Sequence, residues 1–98
     1  MKKLLTLAAT AAMTLSAFPA KATPTYAWHY GQEFCEALRA GADWHGAMKT
    51  ATREAHALWS DDIRADGDNA ARYMQRAAEK ECYTLERNAW AEYKRNNP

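Results

Sequence analysis

The sequence predicts an all-α fold, on the basis of its composition and of its apolar pattern. Beyond residue 22 the chain has no valine, and Ile63 is its only isoleucine, whereas residues of high helix propensity are abundant. Apolar residues also recur at spacings of three and four, which places them on one face of a helix. We therefore expect a long antiparallel helical hairpin plus a short N-terminal helix tethered by one disulfide.

Three helices are expected after the amino-terminal segment. The first spans residues 30–40, where Phe34 and Leu38 are four positions apart and Gly41 follows as a C-cap. A short lead-in over residues 23–28 precedes this helix.

The second and third helices are expected to form the hairpin, because only a short connection separates them. Asp43 is the predicted N-cap of the second helix, which continues to residue 65 and ends at Gly67. The third helix is expected over residues 68–95. The predicted apolar stripe of the second helix comprises Trp44, Met48, Ala51, Ala55, Leu58, Trp59 and Ile63. The predicted stripe of the third comprises Met74, Ala78, Cys82, Leu85, Ala89 and Tyr93.

The first 22 residues have the pattern of an export signal. Lys2 and Lys3 precede an apolar run over residues 4–18, and Ala20 and Ala22 form an A-x-A cleavage site. The apolar run is short and contains several hydroxyl side chains, so it does not suit a membrane span. We expect cleavage after Ala22 and a protein that is periplasmic or secreted, with no transmembrane segment.

The remaining residues, 23–98, are expected to form a single small helical domain. Ten of the 11 aromatic residues lie there, which is enough for one small core. Three of the 13 basic residues lie in the signal, so 10 basic residues face 12 acidic ones, a balance of −2. This balance does not indicate a nucleic-acid partner.

The two cysteines, Cys35 and Cys82, are expected to form an intramolecular disulfide. An oxidising compartment favours this pairing, and small cores benefit from a covalent link. Three alternatives stay open at this stage: an intermolecular disulfide, a redox pair and two buried thiols. The absence of a C-x-x-C motif argues against the redox pair.

Two sets of residues are candidates for a binding surface. The third predicted helix carries a basic stripe that could contact an anionic surface or an acidic partner, although neighbouring glutamates weaken its field. The aromatic residues not used by the apolar stripes could form an exposed patch for a protein partner or an apolar ligand. The basic stripe comprises Arg72, Arg76, Lys80 and Arg87. The aromatic patch comprises Trp28, Tyr30 and Trp90.

The sequence contains no recognisable metal or catalytic motif. A calcium loop around Gly67 would place Arg64 and Tyr73 at ligand positions. His45 and His56 share a helical face but lie about 16 Å apart along it. Ser60, the one serine beyond residue 22, has no evident base beside it. We therefore expect no metal site, no cofactor and no enzymatic activity.

Glycine and cysteine positions give the chain a family resemblance. The pattern Gly31-x3-Cys35-x2-Leu38-x2-Gly41, followed later by Ala77, Ala78 and Cys82, resembles small secreted two-cysteine helical domains of unknown function. The size, compartment and cysteine separation are also similar to those of HdeA-type periplasmic acid-stress chaperones. Those are small helical proteins with one disulfide that bind unfolding clients at low pH.

The leading functional expectation is a non-enzymatic exported protein-interaction module that binds another envelope or secreted protein. The resemblance implies an alternative, an acid-stress chaperone whose helix contacts loosen when acidic side chains become protonated. A third alternative is a metal or small-ligand binder.

Overall fold

The computed structural model describes residues 23–98 and contains four helices in that range. Helix α1 spans Thr25–Arg39, α2 spans Trp44–Asp66, α3 spans Asp68–Glu81 and α4 spans Tyr83–Asn96. This part of the chain contains no strand, which confirms the all-α prediction.

The predicted signal peptide and its cleavage after Ala22 lie outside the described residues. Within residues 23–98, no helix is both long enough and apolar enough to cross a membrane.

Helix α1 is longer than predicted and lies at the centre of the molecule. It begins at Thr25 rather than at residue 30, because the Pro24 carbonyl accepts hydrogen bonds from the amides of Ala27 and Trp28. Its buried residues cover more than one side of the helix, and α1 contacts both α2 and α3 extensively. These residues are Tyr26, Ala27, Tyr30, Gly31, Phe34, Cys35 and Leu38.

Contacts at both ends of α1 give its direction relative to α2. The Tyr26 hydroxyl donates a hydrogen bond to Asp66, the last residue of α2. Near the other end, the ring of Phe34 lies 6.0 Å from the ring of Trp44, the first residue of α2. The two helices therefore run in opposite directions.

The predicted direct hairpin of the second and third helices differs from the observed packing. Helices α2 and α3 are joined by Gly67 alone, at a positive φ of 57°, yet they make few direct contacts. Helix α1 is inserted between them and contacts both. The apolar stripes of α2 and α3 therefore face α1 rather than each other, and most of the core lies around α1.

The disulfide prediction is confirmed, and it joins α1 to the end of α3. Cys35 and Cys82 are bonded with their Cα atoms 6.0 Å apart, and both side chains are buried. One turn before Cys35, α1 approaches α3 at Gly31. A Cβ atom at that position would lie 2.9 Å from the carbonyl carbon and oxygen of Ala77, so the close approach requires glycine.

The third predicted helix is in fact two helices. Cys82 has φ −148° and ψ 67°, which ends α3, and α4 begins at the next residue. The helical dihedrals are interrupted at Cys82, the residue that the disulfide links to α1. The predicted stripe is consequently interrupted, and Leu85, expected in the core, is 39% exposed.

Helix α2 contains a kink that also alters its predicted stripe. Trp59 has non-helical dihedrals, φ −133° and ψ 37°, and its ring packs 5.1 Å from the ring of His29. Leu58, the preceding residue, was expected in the core but is 63% exposed. The kink directs Trp59, rather than Leu58, towards α1.

Candidate ligand-binding cleft

A cleft of about 230 Å³ lies where all four helices meet. Each helix contributes side chains, most of them from α1, α2 and α3 and one from α4. The lining residues are Tyr30, Phe34, Trp44, Met48, Thr52, Ala71, Met74, Gln75, Ala78 and Glu86.

The cleft has an aromatic wall. The rings of Tyr30 and Phe34 are stacked at 5.9 Å on α1, and Phe34 meets Trp44 edge-on at 6.0 Å. Trp44 in turn contacts Trp90 at 4.7 Å and Tyr93 at 5.8 Å on α4. These are the offset and edge-to-face arrangements that aromatic pairs favour, and they hold the wall in place.

Two methionines and two alanines, Ala71 and Ala78, provide the rest of the apolar lining. Met48 of α2 is partly buried against the core, and Met74 of α3 is buried. Methionine side chains are flexible and polarisable, so they adapt to ligands of different shape. Ala71 and Gln75 of α3 are exposed as well as lining the cleft, which identifies their side of α3 as its mouth.

The one buried residue of α4 is a glutamate. Glu86 is only 5% exposed, and its side chain reaches the cleft. The indole Nε1 of Trp44 donates a hydrogen bond to Glu86 Oε2 over 3.1 Å. The local sequence explains why Glu86 faces the core. Glu86 is four residues after the buried Cys82, and its amide donates a hydrogen bond to the Cys82 carbonyl.

This carboxylate has no cationic partner among residues 23–98. The ion pair found in that range joins Arg64 to Asp61, both of which are exposed. A buried ionised carboxylate costs several kcal/mol of desolvation, and one hydrogen bond to it returns only about 1.5–3 kcal/mol. Glu86 therefore brings to the cleft a carboxyl group that accepts one hydrogen bond from an indole and has no ion-pair partner within residues 23–98.

Tyr30 supplies a hydroxyl group to the same cleft. Burial raises the pKa of Tyr30 to about 12; a hydrogen bond from Thr52 opposes this rise, and the nearby Glu86 charge adds to it. The Tyr30 hydroxyl therefore keeps its proton at neutral pH. Together with Thr52 and Gln75, it gives the cleft a small number of neutral polar groups beside one carboxylate.

Comparison of the chain with protein-family models, with curated proteins and with solved structures finds no match.

The three residues of the predicted aromatic patch lie in different environments. Trp28 is 55% exposed and Trp90 is 38% exposed, whereas Tyr30 is buried, with 7% of its surface exposed. Tyr30 therefore belongs to the wall of the cleft and not to an exposed patch. Trp90 is linked to that wall through its contact with Trp44.

The predicted basic stripe is divided between two helices. Arg72, Arg76 and Lys80 are exposed along α3, but Arg87 lies beyond the break at Cys82, on α4. The Arg87 guanidinium donates a hydrogen bond to the Tyr83 hydroxyl and lies 5.3 Å from the Tyr83 ring centroid. The residues predicted as one stripe thus do not share a continuous helix face.

Metal ligands do not assemble anywhere in the described range. Residues 23–98 contain no group of three or more histidine, cysteine, aspartate or glutamate side chains that could hold a metal ion. His29 packs on Trp59 and His45 on Tyr93, at separate places in the fold. The cleft itself offers a metal ion a single carboxylate among mostly apolar side chains.

The sequence prediction missed Glu86, although one signal pointed to it. The spacing of four from Cys82 places Glu86 on the buried face if a helix starts near the cysteine. The assumption of one long helix assigned that face to Leu85 instead. The break at Cys82 rotates α4 so that Glu86, and not Leu85, points inward.

Proposed function

We propose that this protein is an exported, non-enzymatic binding protein whose cleft takes up a small, largely apolar ligand. The observation that carries the proposal is the cleft itself, an apolar cavity with a few converging polar groups, which is the usual composition of a ligand site. Its volume of about 230 Å³ is equivalent to about eight water molecules, so we expect a ligand of roughly ten non-hydrogen atoms.

Export is part of the proposal. The pattern of the first 22 residues and the disulfide between Cys35 and Cys82 both support a periplasmic or secreted location. Catalysis is not part of it. The hydroxyl of Ser60 accepts a hydrogen bond from Arg64 at the surface, away from the cleft residues, and both cysteines are in the disulfide.

Two methionine methyl groups provide a direct test. Met48 and Met74 are the only methionines after residue 22, and both line the cleft. The full chain is expressed with methyl-labelled methionine, and the protein is purified from the periplasm and titrated with 2-phenylethanol. We expect two methyl resonances, both of which shift saturably. Resonances that do not move would overturn the proposal.

A pair of alanine variants controls for binding elsewhere. Ala71 is exposed and lies at the mouth of the cleft, so Ala71→Leu should reduce the shifts of both methyl resonances at least severalfold. Ala57 is also exposed, but it lies on α2 outside the cleft lining. Ala57→Leu should bind as the wild type does. Equal binding by the two variants would place the ligand elsewhere.

An interaction module is a second candidate, supported by a groove between α3 and α4. Tyr83 and Trp90 are exposed along this groove, each with a cation over its ring, from Arg87 and Lys94 respectively. Such a surface could bind another envelope or secreted protein. Chemical crosslinking in intact cells tests it. A specific adduct that is lost in Tyr83→Ser but retained in Leu58→Ser would favour this function.

The acid-stress chaperone is a third candidate and has its own test. It requires apolar surface to become accessible when the solution is acidified. An apolar dye should then fluoresce with the protein near pH 3 and not at neutral pH. Unchanged dye fluorescence and an unchanged near-UV circular dichroism spectrum would reject the chaperone and leave the ligand-binding proposal unaffected.

A further inference from the structure

We infer that the ligand of the cleft is a small organic cation, an ammonium group attached to an aromatic or aliphatic body, with Glu86 as its counter-ion. This inference rests on the proposed function and specifies the chemistry of its ligand. It depends on one carboxylate and on the side chains that surround it.

The carboxyl group of Glu86 is the first argument. Glu86 is 5% exposed and lines both the cleft and the groove between α3 and α4, and within residues 23–98 the neutral indole of Trp44 donates a hydrogen bond to its Oε2. A ligand cation at Oε1 would form a charge-assisted hydrogen bond with the carboxylate, which is stronger than a bond between neutral groups. A neutral ligand would make only the weaker bond, and an anion would be repelled by a carboxylate.

The aromatic wall is the second argument. Tyr30, Phe34 and Trp44 line the same cleft as Glu86. The faces of aromatic rings attract cations, most strongly when water is excluded. A cleft that combines three rings with a carboxylate therefore favours a cation with an apolar body over a neutral molecule of the same shape.

The neutral polar groups are the third argument. A primary ammonium group has three N–H donors and no acceptor. Besides Glu86, the lining offers the hydroxyl oxygens of Tyr30 and Thr52 and the amide oxygen of Gln75. Burial raises the pKa of Tyr30 and keeps its oxygen neutral, so Glu86 is the one acidic residue of the lining, beside neutral polar groups.

A hydrated metal ion does not fit the same site. Calcium takes six to eight oxygen ligands, and magnesium retains several waters in an octahedral shell. The cleft presents one carboxylate beside two methionines and three aromatic rings. These features match an organic body carrying one charge rather than a compact divalent cation.

The test compares two probes of nearly the same shape, 2-phenylethylammonium and 2-phenylethanol. The full chain is expressed, and the protein is purified from the periplasm and titrated calorimetrically with each probe at neutral pH. We expect the ammonium probe to bind at least tenfold more tightly than the alcohol. Equal affinities would overturn the inference and leave the proposed function standing, whereas failure of both probes to bind would overturn both.

A charge-removing variant and a matched control assign the effect to one residue. Glu86→Gln retains an oxygen that can accept the Trp44 hydrogen bond, so the fold should persist, which far-UV circular dichroism checks. We expect this variant to lose the preference for the ammonium probe and to bind both probes similarly. Glu92→Gln removes an exposed carboxylate from the same helix and should keep the wild-type preference. Loss of preference in both variants would show a long-range charge effect and overturn the inference.

Discussion

The indole Nε1 of Trp44 donates a hydrogen bond to Glu86 Oε2 over 3.1 Å, and this bond joins the first residue of α2 to the first turn of α4. The two residues are 42 positions apart in the sequence. Both line the cleft, so the bond orients the aromatic wall and the carboxylate together. Within residues 23–98, it is the side-chain hydrogen bond that the structure gives to this buried carboxyl group.

Replacement of Trp44 by Phe should destabilise the protein by about 1–3 kcal/mol, because it leaves the buried Glu86 carboxyl group without its hydrogen bond from the indole. Urea denaturation measures the loss. In a Glu86→Leu background, where no acceptor remains, the same replacement should cost at least about 1 kcal/mol less. An equal cost in both backgrounds would show that ring packing, and not the hydrogen bond, accounts for the effect.

Gly31→Ala should destabilise the protein by about 1–3 kcal/mol, since the added methyl group would overlap the Ala77 backbone on α3. Gly46→Ala is the matched control. A Cβ atom there meets only side chains, the closest being Asp43 Oδ1 at 3.2 Å, and alanine is the better helix former. Thermal unfolding of the two variants should therefore give clearly different midpoints. Similar midpoints would contradict the close packing of α1 on α3.

Simultaneous replacement of Cys35 and Cys82 by Ala should lower the free energy of unfolding by about 4 kcal/mol, given the sequence separation of 47 residues. Small cores supply only about 3–5 kcal/mol, so this variant should be largely unfolded near 37 °C. Far-UV circular dichroism measures the lost helix. A wild-type melting curve for the double variant would show that the link between α1 and α3 contributes little.

Alkaline solution should destabilise the protein partly through Tyr30. The folded state holds its pKa at about 12, above the ordinary value of 10.0. The unfolded chain therefore releases this proton first, and the free energy of unfolding falls as the pH rises from 10 towards 12. The contribution of Tyr30 is at most about 3 kcal/mol. It is fully present below pH 10.

Urea denaturation at neutral pH and near pH 11 tests this dependence. Tyr30→Phe should lose less stability between the two pH values than the wild type does, because the variant has no proton to release at that position. Tyr83→Phe, which alters an exposed tyrosine, should show the wild-type loss. The same loss in all three proteins would mean that Tyr30 does not contribute.

The sequence alone predicted the parts of the fold that depend on local patterns. Asp43 is the N-cap of α2, where its side chain accepts a hydrogen bond from the Gly46 amide, as the capping preference of aspartate suggests. Gly67 ends α2, and the two cysteines form the disulfide. Helical periodicity and the cysteine pair were sufficient for these features.

The features that the sequence did not predict depend on tertiary packing. The sequence marks a helix break only weakly, since Cys82, Tyr83 and Thr84 have modest helix propensity and follow good helix formers over residues 77–81. The break falls at the residue that the disulfide links to α1. The position of α1 between α2 and α3 depends on Gly31, whose fit to Ala77 is visible only in three dimensions. The cleft depends on both, so the spacing of Glu86 from Cys82 was not enough by itself to identify Glu86 as a site residue.

A crystal structure of the periplasm-purified protein with 2-phenylethylammonium tests the central claim most directly. The account predicts that the phenyl ring lies against Phe34 and Trp44 and that the ammonium group lies within hydrogen-bond distance of Glu86 Oε1. A cleft that remains empty at a saturating concentration of the probe, or a probe bound only at the exposed groove between α3 and α4, would contradict it.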